Sequence, residues 1–352
     1  MSYGSSSAPD IAIVGGGPVG LFAACAAVAA GFEVTVIEKR SGVPDKACGE
    51  GLMPAALKAL HQIGVDPVGR DFRGIRYLDA TGQRQVHATL TRGRGRGVRR
   101  TALVEALQDR ADQVGVVHRS ARVVGHRQDP DCVRLFLDGG DECVAPTVLA
   151  CDGLSSDLRR QTGLDVEARG PVRFGLRRHF SVAPWSDDVE VYWAHDGEAY
   201  VTPVAHNLVG VALLGRPGAT FEARLLDFPA LCMRLGSAEE VGAVLGAGPL
   251  RRRARRPRAG GVLLVGDAAG YVDALTGEGL AIGFGAAQAA VAAVASGDIK
   301  GYDQQWRHVT RRFRWSTAAL LAAVTPPRTR RGLMSAASHL PGAFSVAVNR
   351  LS

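Results

Sequence analysis

IAIVGGGPVGLFAACAAVAAGFEVTVIE, residues 11–38, decides how this chain folds. Ile11–Val14 is a short apolar run, long enough for a buried strand. Gly15, Gly17 and Gly20 follow it with the spacing G-x-G-x-x-G. The first glycine permits a tight turn. The second lets the backbone approach a pyrophosphate, and the third lets the next helix pack closely on the strand. Val19–Ala30 supplies that helix, with its first N–H groups toward the phosphates, and Gly31 ends it. Glu33–Ile37 alternates into a second strand with Glu38 at its end. A carboxylate there accepts both ribose hydroxyl hydrogens and repels a 2′-phosphate, so the expected nucleotide is FAD or NAD and not NADP.

A second stretch lies far downstream. Val262–Gly285 reads VLLVGDAAGYVDALTGEGLAIGFG, with Asp267 after a short apolar strand and a helix beginning at Gly279. Taken in this order, the two stretches fit one ligand, a flavin dinucleotide held at both ends.

Three motifs then carry a family resemblance. VLACDGLSSDLR, at 148–159, resembles the G-A-D-G-x-x-S-x-x-R stretch of flavoproteins of the p-hydroxybenzoate hydroxylase class. Asp152, Gly153, Ser156 and Arg159 match it, and Ala150 and Cys151 replace its Gly-Ala. Gly266-Asp267-Ala268-Ala269 resembles the second flavin motif of the class, which implies that Asp267 binds the ribityl chain. Arg100, in RRTALVEAL, resembles the arginine that precedes a helix and touches the flavin. Within the class, Lys46-Ala47-Cys48-Gly49 and Gly277-Glu278-Gly279 resemble the geranylgeranyl-reductase-like branch. One segment departs from it. Isoprenoid reductases carry Y-x-W-x-F-P over the flavin, whereas Gly197–Pro203 reads GEAYVTP and keeps only Pro203.

The resemblance implies an α/β fold, with an FAD-binding Rossmann-like domain of the GR2 type, an inserted antiparallel-sheet substrate domain and C-terminal helices. Residues 9–70, 97–165 and 256–300 are expected to form the FAD domain. The first two of these segments should supply the parallel sheet and its helices, with Arg99–Val114 one of the helices. Residues 71–96 and 166–255 are expected to form the substrate sheet. Val172–Ser181, Val189–Trp193, Glu198–Pro203 and Leu208–Leu214 read as its strands and Phe221–Leu235 as a helix. Residues 301–352 read as C-terminal helices, Tyr302–Ala323 and Arg331–Leu351, broken at Pro326-Pro327.

Composition narrows the function classes. The chain has 352 residues, 46% hydrophobic and 22% charged, which suits a globular protein with a large core. The opening MSYGSSSAPD is polar, reads as disordered and lacks the apolar core of a secretory signal, and Ala318–Val324 is too short to span a membrane. A cytoplasmic location is therefore expected. Cysteines at 25, 48, 132, 143, 151 and 232 form no C-x-x-C and no zinc spacing, so neither a metal nor a disulfide framework is expected. The formal charge is +8, nearly all from arginine. Arg251–Arg258, RRRARRPR, is the densest cluster. It reads as a solvated surface loop, with contact to an anionic cofactor or a membrane surface as the alternative. No aromatic residues interleave it, which argues against nucleic acid. A second phosphate-binding glycine loop is lacking, so NAD(P)H is expected to bind transiently at a cleft. Nothing here fixes an oligomeric state.

The cofactor-binding residues are thus Gly15, Gly17, Gly20, Glu38, Arg100, Asp267 and Gly279. The catalytic candidates are Cys48, Glu198 and Tyr200. The resemblance places Cys48 near the ring, either toward the substrate or as a small loop residue. Glu50 is either functional or paired with an arginine. Glu198 and Tyr200 are two apart on a strand and share a face. If that face covers the flavin, Glu198 is a base for a phenol and Tyr200 a wall or proton donor; the alternative is a surface glutamate beside a core tyrosine. His179, His195 and His206 have no partner spacing that singles them out. Trp185, Tyr192 and Trp193 line an aromatic pocket or fill the core. The first functional reading is an NAD(P)H-driven monooxygenase hydroxylating an aromatic or polyketide-like small molecule, favoured by the polar Glu198–Tyr200 face. The second is a reductase of isoprenoid or quinone double bonds, favoured by Cys48 and the GDAAG…GEG run. The third is a non-catalytic FAD-binding protein. In each case the partner is a small hydrophobic or aromatic molecule.

Overall fold

A six-stranded sheet and a seven-stranded sheet organise the molecule in a computed structural model that describes residues 8–324 and 341–351. The six-stranded sheet runs in the order 258–259, 262–264, 147–150, 11–14, 34–38, 117–120. All of its pairings are parallel except the edge hairpin Arg258–Ala259 with Val262–Leu264. Its central strands are buried on both faces, and Ile11, Ala12 and Ile13 have no exposed surface. That is why they read as continuous apolar runs and not as alternating ones. The helix Pro18–Ala29 follows the first strand. Its Phe22 stacks on Phe284 of the helix Gly279–Ala295, with ring centroids 4.4 Å apart.

The seven-stranded sheet runs 239–247, 174–181, 208–215, 197–205, 189–193, 74–79, 85–89. It is antiparallel apart from the parallel pairing of Val189–Trp193 with Gly74–Asp79. Small antiparallel sheets complete the fold. Gly51–Leu52, Gly95–Gly97 and Arg70–Phe72 form one. Asp165–Val166, Arg252–Ala254 and Gly270–Tyr271 form another.

The structure corrects several expectations. Residues 123–145 are not part of the parallel sheet but an antiparallel meander of their own. The helix expected over Phe221–Leu235 is two helices, Phe221–Leu225 and Pro229–Leu235. Pro229 lacks the N–H that a continuous helix needs and instead opens the second one. Arg251–Arg258 is not a plain loop, because it contains the strand Arg252–Ala254 and enters Arg258–Ala259. Its Ala254 and Pro257 are buried while Arg253, Arg255 and Arg256 are exposed. The helix Tyr302–Val324 is present, and a helix spans Pro341–Leu351. Pro326-Pro327, the residues from Arg331 to 340 and the opening residues 1–7 lie outside the described residues. Among the described residues no helix is long and apolar enough to cross a membrane, and no cluster of His, Cys, Asp and Glu is arranged for a metal ion.

Candidate functional site

The first strand delivers the chain into Gly15 at φ 110, where a Cβ would lie 2.5 Å from the Cys151 carbonyl oxygen. A Cβ on Gly20 would run into the Gly15 carbonyl. Above Gly17 the space is open, and the nearest atom to a Cβ there would be the Arg100 guanidinium, 3.6 Å away. Glu38 closes one end of this groove. Its Oε2 accepts the Gly16 N–H at 2.8 Å and its Oε1 the Arg40 N–H at 3.1 Å. Asp267 stands at the other end, in the turn Gly266–Ala269. Burial raises its carboxyl above the ordinary range, opposed by Arg100, Lys46 and Arg159. Arg159 is itself buried, and it bonds Asp165 at 2.6 Å and the Ala268 carbonyl at 3.0 Å. It thereby ties the Asp152–Arg159 motif to the Asp267 turn.

Two polar atoms near this groove are buried without a hydrogen-bond partner, Arg100 Nε and Asp152 Oδ1. Native interiors rarely leave such atoms unpaired. With the open glycine backbone and the carboxylate at the end of the second strand, they suit a phosphate-bearing dinucleotide with ribose hydroxyls at one end.

A second cluster hangs below the groove on the loop 45–50. Cys48 is half-buried. Burial pushes its thiol up, with Arg100 pulling the other way, and its Sγ accepts the Glu50 N–H at 3.4 Å. Glu50 is the one non-glycine residue with positive φ among those described, at 58. This conformation is costly for an L-residue, and four contacts hold it. Besides that N–H, its carbonyl accepts from Val98 N at 2.8 Å. Its Oε1 accepts from Arg100 N at 2.9 Å, where the helix Arg100–Gln113 begins. Its Oε2 is 2.7 Å from His179 Nε2. His179 Nδ1 is 3.0 Å from an Arg177 nitrogen, which can only donate. Nδ1 is therefore the acceptor, and Nε2 carries the proton that bonds Glu50. Arg177 also pairs with Asp45. His179, which the sequence did not single out, thus sits at the centre of a buried network.

The third cluster joins the large sheet to the 270–279 segment. Glu198 is wholly buried, so it is not a surface residue. Its carboxylate is ion-paired with Arg173, which also reaches Asp273 at 3.2 Å. Burial raises Asp273 to about 6, with Arg173 lowering it. Tyr200 donates to the Leu275 carbonyl at 3.0 Å. Glu198 and Tyr200 therefore face the same segment, as their spacing implied, but both are occupied by protein partners. Gly279 opens its helix beside Tyr271, whose ring would be 3.3 Å from a Cβ at that position. Tyr192 and Trp193 are buried core residues, and half-buried Trp185 donates to Glu190 at 2.8 Å.

Arg173, Arg177 and Asp273 went unremarked in the sequence. A signal for Arg177 was present, since residues 177 and 179 fall on the same, buried face of the strand Phe174–Ser181.

The FAD binding domain family matches residues 9–229, and the chain belongs to it. A digeranylgeranylglycerophospholipid reductase of Methanosarcina acetivorans is 28% identical over 330 residues, covering 86% of this chain and 81% of that one. A menaquinone reductase of Mycobacterium tuberculosis is 26% identical, covering 82% and 77%. A p-nitrophenol 4-monooxygenase of Pseudomonas putida has the same fold, with a TM-score of 0.82 at 20% identity, covering 97% of this chain and 96% of that one. The protein is an FAD-dependent oxidoreductase with the α/β architecture expected of the geranylgeranyl-reductase-like flavoproteins.

Proposed function

We propose that the protein reduces a carbon–carbon double bond in an apolar isoprenoid or quinone substrate, with NAD(P)H as the electron donor. The observation that supports this most directly is the state of Glu198. The base that hydroxylation of a phenol would draw from this face is Glu198, and the Glu198 carboxylate is held by Arg173. The wall beside it is apolar, with Met53, Val191, Trp193 and Leu275 in one cluster and Tyr77 and Tyr200 packed on it. The curated relatives that act on lipids and menaquinone support the same reading.

Gly15, Gly17 and Gly20 would hold the pyrophosphate, Glu38 the ribose, and Arg100 and Asp267 the segment between phosphate and ring. Gly279 would present a helix N-terminus, a partial positive charge, toward the flavin. Bound FAD supplies hydride chemistry. Cys48, with its thiol kept protonated by burial, is the proton source for the second carbon. Tyr200, fixed on Leu275, acts as a wall.

The test is reoxidation of the reduced holoenzyme under nitrogen. Isolated protein should be yellow and release FAD on denaturation. After reduction, a prenylated quinone or geranylgeranyl lipid should reoxidise it without oxygen. Reoxidation by oxygen alone, coupled to hydroxylation of an aromatic substrate, would return the monooxygenase reading to first place.

A further inference from the structure

The helix Tyr302–Val324 has two unlike faces. Inward, Trp306, Phe313 and Leu321 are buried. Leu321 joins the apolar cluster of Met53, Trp193 and Leu275 assigned above to the substrate wall. Outward, Gln304, His308, Arg311, Trp315, Ala319 and Ala322 are exposed, and at the helical repeat they fall within an arc of roughly 80°. Trp315 is 75% exposed, although tryptophan is on average a well-buried residue.

Positive charge gathers around this outward face. The helix carries Arg307, Arg311, Arg312 and Arg314 against one carboxylate, Asp303, which already pairs with Arg258 at 3.0 Å. Burial, and then Arg253 and Arg251, hold Arg314 below the usual arginine range, so the 251–256 segment adjoins the helix on that flank. Arg253, Arg255 and Arg256 are exposed there. Among the described residues none of Arg253, Arg255, Arg256, Arg307 and Arg311 makes an ion pair. Along the helix the charges lie toward the N-terminal half, while Trp315, Ala319 and Ala322 lie toward the half that carries Leu321. A cationic surface with an exposed indole fits the headgroup boundary of an anionic bilayer. The guanidinium groups meet lipid phosphates, and the indole sits between water and acyl chain. Single-stranded nucleic acid would call for several stacking rings, and this face offers one.

We infer that the outward face of this helix, with Trp315 as its anchor and Arg307, Arg311, Arg253 and Arg256 around it, seats the protein on the surface of an anionic lipid bilayer. The helix lies on the bilayer and does not cross it, since it is not apolar enough to span. Seating on this face brings the Leu321 end of the helix, and with it the substrate wall, toward the lipid. The inference goes beyond the reductase reading and is tested by binding alone, so either can fail without the other.

Sedimentation of the FAD-loaded protein with lipid vesicles tests it. The wild type should pellet with vesicles of equal parts phosphatidylglycerol and phosphatidylcholine and stay in solution with phosphatidylcholine alone. Raised salt should release it. Trp315→Ala should weaken binding about 10-fold through loss of the buried indole. The double variant Arg307→Ser, Arg311→Ser should weaken it about 10–30-fold through loss of two charges at the anionic surface. Arg84→Ser, an exposed residue of the turn before Gln85–Thr89, should leave binding unchanged. Phosphatidylcholine brominated on its acyl chains, mixed into the anionic vesicles, should quench part of the wild-type tryptophan fluorescence, and Trp315→Phe should abolish that quenching. The inference is overturned if the wild type does not pellet with the anionic vesicles, if the Trp315 and arginine variants pellet as well as wild type, or if quenching persists in Trp315→Phe. Tighter binding to a short duplex DNA than to the vesicles would also overturn it and point to nucleic acid.

Discussion

The two large sheets bury charge in opposite ways. The six-stranded sheet is built from runs such as Ile11–Val14 and Val262–Leu264, which are buried and wholly apolar. Its charged groups stand at strand ends, Glu38 above all. The seven-stranded sheet and its flank bury Arg173, Arg177, His179, Glu190 and Glu198 among its strands. Apolar burial is non-directional and tolerates local adjustment. Buried ions are stable only in fixed pairs and become costly when one partner leaves. The first sheet is thus a platform whose function lies at its glycine-lined edge. The second is a scaffold whose interior charges fix the 45–50 and 270–279 segments in place.

The largest effect should come from breaking a pair in the second sheet. Arg173→Ala leaves Glu198 and Asp273 buried together and should destabilise the fold by about 3–5 kcal/mol, read from urea denaturation. The triple variant Arg173→Met, Glu198→Met, Asp273→Asn removes every charge of the cluster and should recover most of that loss. Equal loss in both would mean that packing, not charge, matters there.

A change at the edge of the first sheet should act on ligand and not on fold. Glu38→Ala should weaken FAD binding by about 1–3 kcal/mol through loss of charge-assisted bonds to ribose. The unfolding midpoint of the apoprotein should barely move. Unchanged FAD retention would remove Glu38 from the site.

This contrast also explains what the sequence made legible. A glycine spacing followed by a terminal acidic residue is local, so Gly15, Gly17, Gly20 and Glu38 were found within one stretch. The apolar runs marked the parallel strands for the same reason. The buried pairs join Arg173 to Asp273 and His179 to Glu50, at separations no local pattern encodes. Glu198 was legible as sharing a strand face with Tyr200, but not as a residue already neutralised by an arginine. The break at 221–235 is written locally, in Pro229, whereas the strand within Arg251–Arg258 was missed because neighbouring structure, more than local propensity, sets so short an element.

Glu198→Gln sharpens the comparison from the functional side. If the carboxylate is a structural partner of Arg173, the amide should lower the melting temperature while turnover falls less than about tenfold. A base would cost about 10²–10⁴-fold in rate, and a loss of that size with an unchanged melting temperature would restore its catalytic role.

The smallest effect concerns pH. Burial raises Glu278, at the start of the helix Gly279–Ala295, from 4.5 to about 7, with Arg312 and Arg92 opposing. The native state therefore holds this proton where the unfolded chain has released it. Stability should fall as pH rises from 4.5 towards 7 and then level off. Glu278→Gln should flatten that part of the profile, as followed by thermal unfolding across the range; a profile identical to wild type would show that Glu278 is ionised in the native state.

The most direct test of the central claim is the mass of the product formed by holoenzyme, NADPH and a prenylated quinone or lipid, with and without isotopically labelled oxygen gas. The account predicts a product that gains two hydrogen atoms, forms equally well under nitrogen and carries no labelled oxygen. A product that carries one labelled oxygen atom and forms only in air would contradict it.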